Sequence, residues 1–465
     1  MASHKSLLKV IRRFMPVVTI ILTLIVGGTS IAHIPPGHTY DVWSHTYRIS
    51  AVINGSHTHH VEAQSAFHHG NDNVGGKADW EWINYSLEHY DNWDPAVVIA
   101  NTITVKDSQG ADVPFNNTAI NSAVTYLPQL AGFLLGRAFG LSANITFYLA
   151  EILTLVANAL CVGLAIWFLP KWRIIIGLIL PIVNVHPFAI SADPYIQAVA
   201  ALFTCMLYRA SVRKTSTKYL VGLSVVGVLL SMGKFVYTPL TLLLLLIPWL
   251  QSALATSTIP SEALEADSDE NTENETNKSH HLSARTWIPI VGTGCSFIWL
   301  AVWMKLNDWY STTPGLLPYH DMLERKHDLM TKPSVMVQAI KSIAYSIIHS
   351  QANFDFVTDT KRIRVFWALL AILLVVVLAA LCVHRLSAAQ KTFWLLAYLI
   401  SIGILLLTYL ALWLQYTPKG YVGIPGMQYR YFMPLVPLWA LCGLVCCSSL
   451  IVAIQKLAKP ETVSQ

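Results

Sequence analysis

The sequence predicts an all-α integral membrane protein with about ten transmembrane helices. Hydrophobic residues make up 54% of the 465 positions and charged residues only 12%, about half the share that a soluble globular chain carries. The apolar residues form long runs separated by charges, and most runs reach the roughly 17–25 residues that a bilayer requires. This composition excludes a soluble enzyme, a disordered chain and a disulfide-stapled secreted domain. The net charge of +5 is too small to indicate nucleic acid binding.

Ten apolar runs are predicted to cross the membrane, and together they define a transmembrane domain over residues 14–455. The first run follows a basic N-terminus and ends in Ala32-His-Ile-Pro-Pro36 without a cleavage site of small residues. We therefore expect a retained signal anchor. The ten predicted spans are 14–34, 147–169, 174–192, 194–208, 219–233, 235–251, 286–304, 365–383, 392–414 and 431–455.

The distribution of basic residues predicts the orientation of these spans. With the termini (residues 1–13 and 456–465) in the cytoplasm, the termini and cytoplasmic connections hold 16 basic residues. The short outer connections then hold only Lys234, Lys419 and Arg430. This asymmetry is what the positive-inside rule expects. The sequence therefore predicts a multi-pass protein of the cell membrane with both termini in the cytoplasm.

Two long outer loops, residues 35–146 and 305–364, follow from this orientation, and loops of such length usually carry function. The apolar segment Thr125–Gly140 in the first loop predicts a helix that lies in the membrane interface. An apolar stripe at helical spacing over Ser334–His349 predicts another interfacial helix, or a re-entrant one, in the second loop. The cytoplasmic connection 252–285 has an acidic centre without an apolar pattern, and we expect it to be disordered.

Four charged residues are predicted to meet at the outer face, where they would border the membrane: Asp41, Asp193, Lys234 and Arg430. Carboxylates in this position can deprotonate a hydroxyl group or hold a divalent cation. Cations there can bind a lipid phosphate. Each residue also has a structural alternative. Asp193 can cap the next helix, Lys234 and Arg430 can act as interfacial anchors, and Asp41 can pair with Arg48.

The first outer loop also contains histidines and aromatic residues that suit more than one role. His57, His59, His60, His68 and His69 lack a fixed ligand spacing, so a solvated, irregular loop is favoured over a metal site. Between residues 79 and 94, tryptophan and tyrosine alternate with aspartate and glutamate. Such mixtures suit stacking on sugar rings, and they equally suit packing on a membrane surface.

Several segments, in the same order along the chain, resemble a bacterial membrane-protein family of unknown function. They are Pro35–Arg48 after the first span, Tyr126–Arg137, the Ser191-Ala-Asp193 turn, Gly233-Lys234, and Gln428-Tyr-Arg-Tyr-Phe-Met-Pro434. That family is similar in turn to the GT-C superfamily of polytopic glycosyltransferases. Those enzymes use polyprenyl-phosphate-linked sugars and an acidic catalytic residue in the first outer loop.

The resemblance implies an inverting glycosyltransferase that moves a sugar from a polyprenyl-phosphate carrier to a surface glycan, lipid or protein acceptor. Asp41 and Asp193 would be its catalytic carboxylates, with a divalent cation (Mg²⁺ or Mn²⁺) as an optional partner. Lys234 and Arg430 would bind the carrier phosphate.

Three further residues would lie next to these side chains and hold them in position without contacting the substrate: His45, Arg48 and Gln428. The alternatives are a transporter or flippase of lipid-linked saccharides and a non-catalytic membrane protein of glycan assembly. A transporter should carry charges at mid-depth on several spans. Here the spans are nearly uncharged, with Glu151 as the main exception, and this pattern favours chemistry at the surface.

Overall fold

The computed structural model describes residues 2–66, 68, 73–90, 94–184, 186–256, 284–307, 317–349 and 360–457. His69, the acidic centre of the 252–285 connection and most of the 456–465 tail lie outside the described residues. The described helices are α1 (Ala2–His33), α2 (Val42–Ile53), α3 (Trp80–Glu88), α4 (Asn116–Ala119), α5 (Leu127–Phe139), α6 (Ala143–Phe168), α7 (Arg173–Val183), α8 (Asp193–Val212), α9 (Thr217–Gly233), α10 (Ile247–Thr256), α11 (Ala284–Leu306), α12 (Tyr319–Thr331), α13 (Pro333–His349), α14 (Thr360–Leu381), α15 (Ala388–Tyr416) and α16 (Val436–Leu457).

Eight helical segments among the described residues are long and apolar enough to cross a membrane. Six of them are single helices: α1, α6, α8, α11, α14 and α15. The other two are the segment 235–255, which consists of a 3-10 helix and most of α10, and the segment 429–456, which contains most of α16. The shorter apolar helices α7 and α9 match two further predicted spans. The prediction of an all-α polytopic membrane protein is therefore confirmed.

One predicted span, 174–192, is wrong in its second half. Helix α7 ends at Val183, and His186 has a left-handed backbone with φ 46°. The local sequence explains why the helix does not continue to residue 192. A residue that precedes proline is disfavoured in the right-handed α conformation, and Pro187 follows His186. The chain turns here and delivers Asp193 to the start of α8.

Helix α8 lies at the centre of the bundle. Within its spanning window 83% of the residues are buried, against 22% in α14, whose apolar side chains face outward. An apolar outer face is what lipid requires of a spanning helix. The first residue of α8, Asp193, is therefore held in the middle of one end of the bundle.

The segment between α1 and α6 forms a small folded domain, which we call the loop domain (residues 35–142). It contains α2 to α5 and an antiparallel sheet of β1 (His59–His60), β2 (Val74–Asp79) and β3 (Gly110–Pro114), in the order β1-β2-β3. Trp43, Tyr47 and Phe115 are fully buried in a separate hydrophobic core. Phe147 and Ala150 of α6 belong to the same cluster, so this core joins the loop domain to the bundle.

The expectation of an irregular histidine segment is wrong for His59 and His60, which form β1. The strand pairs with the glycine-rich β2, where Gly75 lies opposite both His59 and Pro114. A Cβ atom on Gly75 would collide with the Val113 carbonyl. Glycine is therefore required for the close approach of β3, and glycine-rich segments resemble loops in sequence.

Both helices predicted within the long loops are present. Helix α5 covers most of Thr125–Gly140 and ends at Phe139; Gly140 follows, and its φ of 61° suits a left-handed C-terminal cap. Helix α13 covers the Ser334–His349 stripe. Their position in the membrane interface stays a prediction.

Candidate functional site

The charged residues Asp41, Asp193 and Arg430 meet at the end of the bundle that carries the loop domain. The Nη2 atom of Arg430 donates to Oδ2 of Asp41 at 2.7 Å, and its Nη1 atom donates to Oδ2 of Asp193 at 3.2 Å. The Arg430 side chain is 9% exposed, whereas those of Asp41 and Asp193 are 31% and 20% exposed. One buried guanidinium is thus shared by two partly accessible carboxylates.

Lys234 joins the cluster more loosely. Its Nζ atom is 3.7 Å from Oδ1 of Asp193, beyond hydrogen-bond distance, and its side chain is 27% exposed. The ammonium also lies 5.0 Å from the ring centroid of Tyr431, which is within cation–π range. The structure therefore brings together the four side chains that were predicted to share one face. Their two negative and two positive formal charges cancel.

Each of the four residues lies where a helix begins or ends. Asp193 is the first residue of α8, and its N–H donates to Oγ of Ser191. Lys234 follows the last residue of α9. Arg430 lies in a 3-10 turn, Tyr429–Tyr431, that leads toward α16. Asp41 directly precedes α2 in a left-handed conformation with φ 56°. The ends of separate elements therefore converge on one point.

Aromatic rings surround the shared guanidinium. Arg430 lies 4.7 Å from the Tyr40 ring centroid and 5.4 Å from that of Tyr431, and Tyr40 stacks on His186. A small cleft of about 10 Å³, enough for roughly one water molecule, opens beside the cluster. Its lining consists of Tyr40, His186, Ala189, Ser191, Asp193, Gln197 and Arg430. A larger ligand therefore requires side chains of the cluster to move.

Burial and the charges of the cluster set the pKa values of Asp41 and His45. Burial alone would raise the pKa of Asp41, but Arg430 and His45 outweigh it and hold that pKa below its usual value. Burial lowers the pKa of His45 to about 4, against the opposing effect of Asp41 and Asp193. At neutral pH, Asp41 is therefore ionised and His45 is neutral.

Arg430 also has a buried donor atom without a partner in the ranges that the structure describes. Its Nε atom is buried and has no hydrogen-bond partner among the described residues. The same holds for Oε1 of Gln428, two residues earlier. Buried polar atoms without partners are uncommon in proteins, and each calls for an explanation such as a ligand or a water molecule. The Nε atom is therefore a donor that an acceptor oxygen would satisfy.

The three residues predicted to support the site lie in different surroundings. His45 contacts Tyr126, whose hydroxyl is 2.7 Å from its Nδ1 atom, and its charge interactions reach the cluster. Gln428 directly precedes the turn that holds Arg430. Arg48 points away, donating to Thr58 at 2.8 Å and lying 5.6 Å from the Phe115 ring centroid. Asp41 thus pairs with Arg430 and not with Arg48.

Sequence reasoning missed several residues that shape the site. Tyr40 and Tyr431 flank the predicted Asp41 and Arg430 in sequence, and their position next to these charges was an available signal. Asp94 was missed as well, although its Oδ2 atom accepts a hydrogen bond from the Trp43 N–H at the start of α2. No sequence pattern links Asp94 to α2, because the two segments lie far apart along the chain.

Two groups of side chains contain residue types that can bind a metal ion. Arg430 occupies the space between Asp41 and Asp193, so a divalent cation that bridges both carboxylates does not fit this arrangement. Among the described residues, only His320, Asp321 and Glu324 bring three ligand atoms within 4.8 Å of one another. Lys419 already pairs with both of these carboxylates, at 3.2 and 3.1 Å. Neither place therefore has the character of a metal centre.

The apolar spanning helices and the charge cluster at one end of the bundle define a polytopic membrane protein with an enclosed polar site. A family model described as "Predicted membrane protein (DUF2142)" matches residues 24–439. The chain belongs to this membrane-protein family, as its motifs indicated. No curated protein and no solved structure matches the chain.

Proposed function

We propose that the protein is an inverting glycosyltransferase of the GT-C type. It would move a sugar from a polyprenyl-phosphate carrier to a glycan, lipid or protein acceptor at the outer face of the cell membrane. One observation carries the proposal: two accessible carboxylates share a buried guanidinium at the end of the bundle, beside a folded loop domain. The outward orientation rests on the distribution of basic residues.

The cations of the cluster suit a lipid-linked phosphate. Lys234 is held loosely at 3.7 Å from Asp193 and is partly exposed, so it can turn toward a phosphate oxygen without breaking a hydrogen bond. The Nε donor of Arg430 has no partner within the described part of the chain, so it can donate to a second oxygen. Hydrogen bonds between such cations and phosphate are short and strong. In this proposal Lys234 captures the carrier phosphate while Arg430 keeps its two carboxylates in place.

Asp41 is the proposed general base. Its carboxylate takes the proton of the acceptor hydroxyl as that oxygen bonds to the anomeric carbon of the sugar. The bond between the anomeric carbon and the phosphate oxygen breaks on the opposite face, and the electron pair leaves with the carrier phosphate. Lys234 and Arg430 stabilise the charge that develops there. Attack from the opposite face inverts the anomeric configuration.

The lowered pKa of Asp41 has two consequences for this step. It keeps the carboxylate ionised and able to accept a proton at neutral pH. It also weakens the carboxylate as a base, since a good general base has a pKa near the working pH. When Arg430 shares its charge with a bound phosphate, its pull on Asp41 decreases and the basicity of Asp41 rises. No step uses a metal ion, because Arg430 fills the space between the carboxylates.

A transporter of lipid-linked saccharides is the second candidate, and Glu151 favours it. This residue lies within α6 at 3% exposure, and its Oε2 atom has no hydrogen-bond partner among the described residues. Ionisable residues inside spans often mark transport pathways. Glu151→Gln separates the candidates, because it should abolish transport but leave surface glycosyl transfer nearly unchanged.

Mass spectrometry of lipid-linked and surface glycans tests the proposed function. Cells that carry the protein should contain a glycosylated product that cells without it lack, and the latter should accumulate the lipid-linked donor. Complementation with Asp41→Asn should restore protein level but not product. Identical glycan profiles with and without the protein would overturn the proposal. Accumulation of the intact donor on one membrane face, without loss of any glycosidic product, would instead support the transporter.

A further inference from the structure

Helix α2, which begins next to Asp41, has an unusual N-terminus. Asp41 stands at the position that normally caps a helix, and aspartate is among the residues preferred there. Its side chain nevertheless makes no capping hydrogen bond, and its backbone is left-handed with φ 56° and ψ 22°. A usual N-cap residue is extended, and its own side chain accepts a hydrogen bond from the helix. Asp41 instead directs its carboxylate to Arg430.

Asp94 supplies the missing capping acceptor from a separate part of the chain. Its Oδ2 atom accepts a hydrogen bond from the N–H of Trp43, the second residue of α2, at 3.1 Å. Its Oδ1 atom accepts from the Ala96 N–H at 3.0 Å and so fixes the local turn. The residue is 4% exposed. A buried carboxylate with both oxygens used is a well-defined contact and not a solvated surface group.

We propose that Asp94 is a positioning residue, which caps helix α2 in place of Asp41 and thereby frees the Asp41 carboxylate to pair with Arg430. The effect on transfer rests on the proposed function, whereas the structural coupling does not. Without Asp94, the N–H of Trp43 lacks its acceptor, and Asp41 directly precedes the helix in the N-cap position. A cap by Asp41 requires the extended backbone of an ordinary N-cap and withdraws its carboxylate from Arg430.

The charges around Asp94 are consistent with this role. Burial raises its pKa to about 7; the charge of Asp41 adds to the rise, and Arg430 opposes it. Asp41 and Arg430 are thus among the charged groups that act on Asp94. The protonation state of Asp94 therefore depends on the charges of Asp41 and Arg430, the ion pair that it positions.

Asp107 in the same domain provides a matched control. Its Oδ1 atom accepts hydrogen bonds from the N–H groups of Gln109 and Gly110, at 2.8 and 3.0 Å, in a turn like that of Asp94. It contacts no part of the charge cluster; its Oδ2 atom pairs with Lys77. Asp107→Ala therefore removes a comparable turn without touching α2.

The test compares Asp94→Ala, Asp94→Asn and Asp107→Ala in the full-length protein, each with native Asp41 and with Asp41→Asn. Asp94→Ala should lower transfer about 10²-fold, as a misplaced catalytic group does. Asp94→Asn keeps one acceptor oxygen and should lose less, and Asp107→Ala should match the native protein. In the Asp41→Asn background, Asp94→Ala should add almost nothing, because it acts through Asp41. Native transfer by Asp94→Ala, or losses that multiply, would overturn the proposal.

If no variant transfers sugar, that result counts against the proposed function alone. A second measurement then still tests the structural coupling. The thermal unfolding midpoint is measured for Asp94→Asn, Arg430→Gln and the double variant in lipid nanodiscs. Residues coupled through Asp41 should give a double variant that is less destabilised than the sum of the single variants. Additive shifts would show that Asp94 does not act on the ion pair. Asp107→Asn with Arg430→Gln is the additive control.

Discussion

Two places within the described residues hold one cation between two carboxylates, and they differ in burial. Arg430 bridges Asp41 and Asp193 with a side chain that is 9% exposed, whereas Lys419 bridges Asp321 and Glu324 with a side chain that is 59% exposed. The exposed triad is solvated, and ion pairs of that kind contribute little to stability. The buried triad must offset the loss of hydration of its charges. The same charge pattern is therefore a surface feature in one place and a specialised site in the other.

The largest expected contrast between the two triads is in activity. Asp41→Asn keeps the size of the side chain but removes its basicity, so transfer should fall by roughly 10²–10⁴-fold. Asp321→Asn makes the equivalent change in the exposed triad and should leave transfer unchanged. Sugar transfer by the two purified variants at equal protein level checks this. Equal activity of the two variants would remove Asp41 from the chemistry and leave Asp193 as the leading candidate.

The next contrast is in stability. Arg430→Gln leaves two carboxylates facing each other without their cation, and breaking such a buried pair should lower the free energy of unfolding by about 3 kcal/mol. Lys419→Gln should leave unfolding unchanged, since water already screens its partners. Chemical denaturation in matched detergent measures both. A similar loss in the two variants would mean that burial does not distinguish the triads.

A smaller effect is expected on ligand binding. Lys234→Gln removes an ammonium group that is proposed to contact the carrier phosphate, and the dissociation constant for a polyprenyl phosphate should rise about tenfold, as the loss of one charged hydrogen bond predicts. Lys419→Gln is the control cation and should bind normally. Titration of nanodisc-embedded protein with a short-chain polyprenyl phosphate gives both constants. Equal affinities would show that Lys234 is only an interfacial anchor.

A further effect is expected in the pH dependence of stability within the loop domain. The pKa of Asp94 is raised to about 7 from its ordinary 3.8, by burial and by the charge of Asp41. Between these values the folded state holds a proton that the unfolded state has lost, so stability should fall as pH rises through this window. Asp94→Asn should flatten that slope.

Asp107 again provides the control for this pH effect. Its hydrogen bond with Lys77 lowers its pKa to about 2, which lies below the window. Asp107→Asn should therefore keep the native slope of the thermal unfolding midpoint between pH 4.5 and 8. If Asp94→Asn shows the same slope as the native protein, Asp94 does not titrate in this range.

Hydropathy was sufficient to predict the bundle, because a spanning helix must be apolar along its whole length. The distribution of charges was sufficient to place Asp41, Asp193, Lys234 and Arg430 at one end. Their pairing was not predictable, since the hydrogen bond between Arg430 and Asp41 joins residues 389 positions apart. A charge pattern shows which residues share a face but not which of them touch.

The loop domain was hidden for a different reason. Strand β2 begins Val74-Gly-Gly-Lys, and a glycine-rich sequence without alternating apolar residues resembles a loop. The contact between Asp94 and α2 also left no local signal, because an acceptor from a separate segment replaces the usual cap. Both features depend on tertiary packing, and the local sequence pattern does not report it.

If the buried triad and Lys234 form an outward-facing site, position 234 must be accessible from outside the cell. Lys234→Cys is made in a protein whose seven native cysteines are replaced, and intact cells are treated with a membrane-impermeant thiol reagent. Lys419→Cys serves as the outer control and Ser216→Cys as the cytoplasmic control. We expect labelling at positions 234 and 419 in intact cells, and at 216 only after the membrane is disrupted. Labelling at 234 only after disruption would contradict the orientation, and with it the proposed transfer at the outer face.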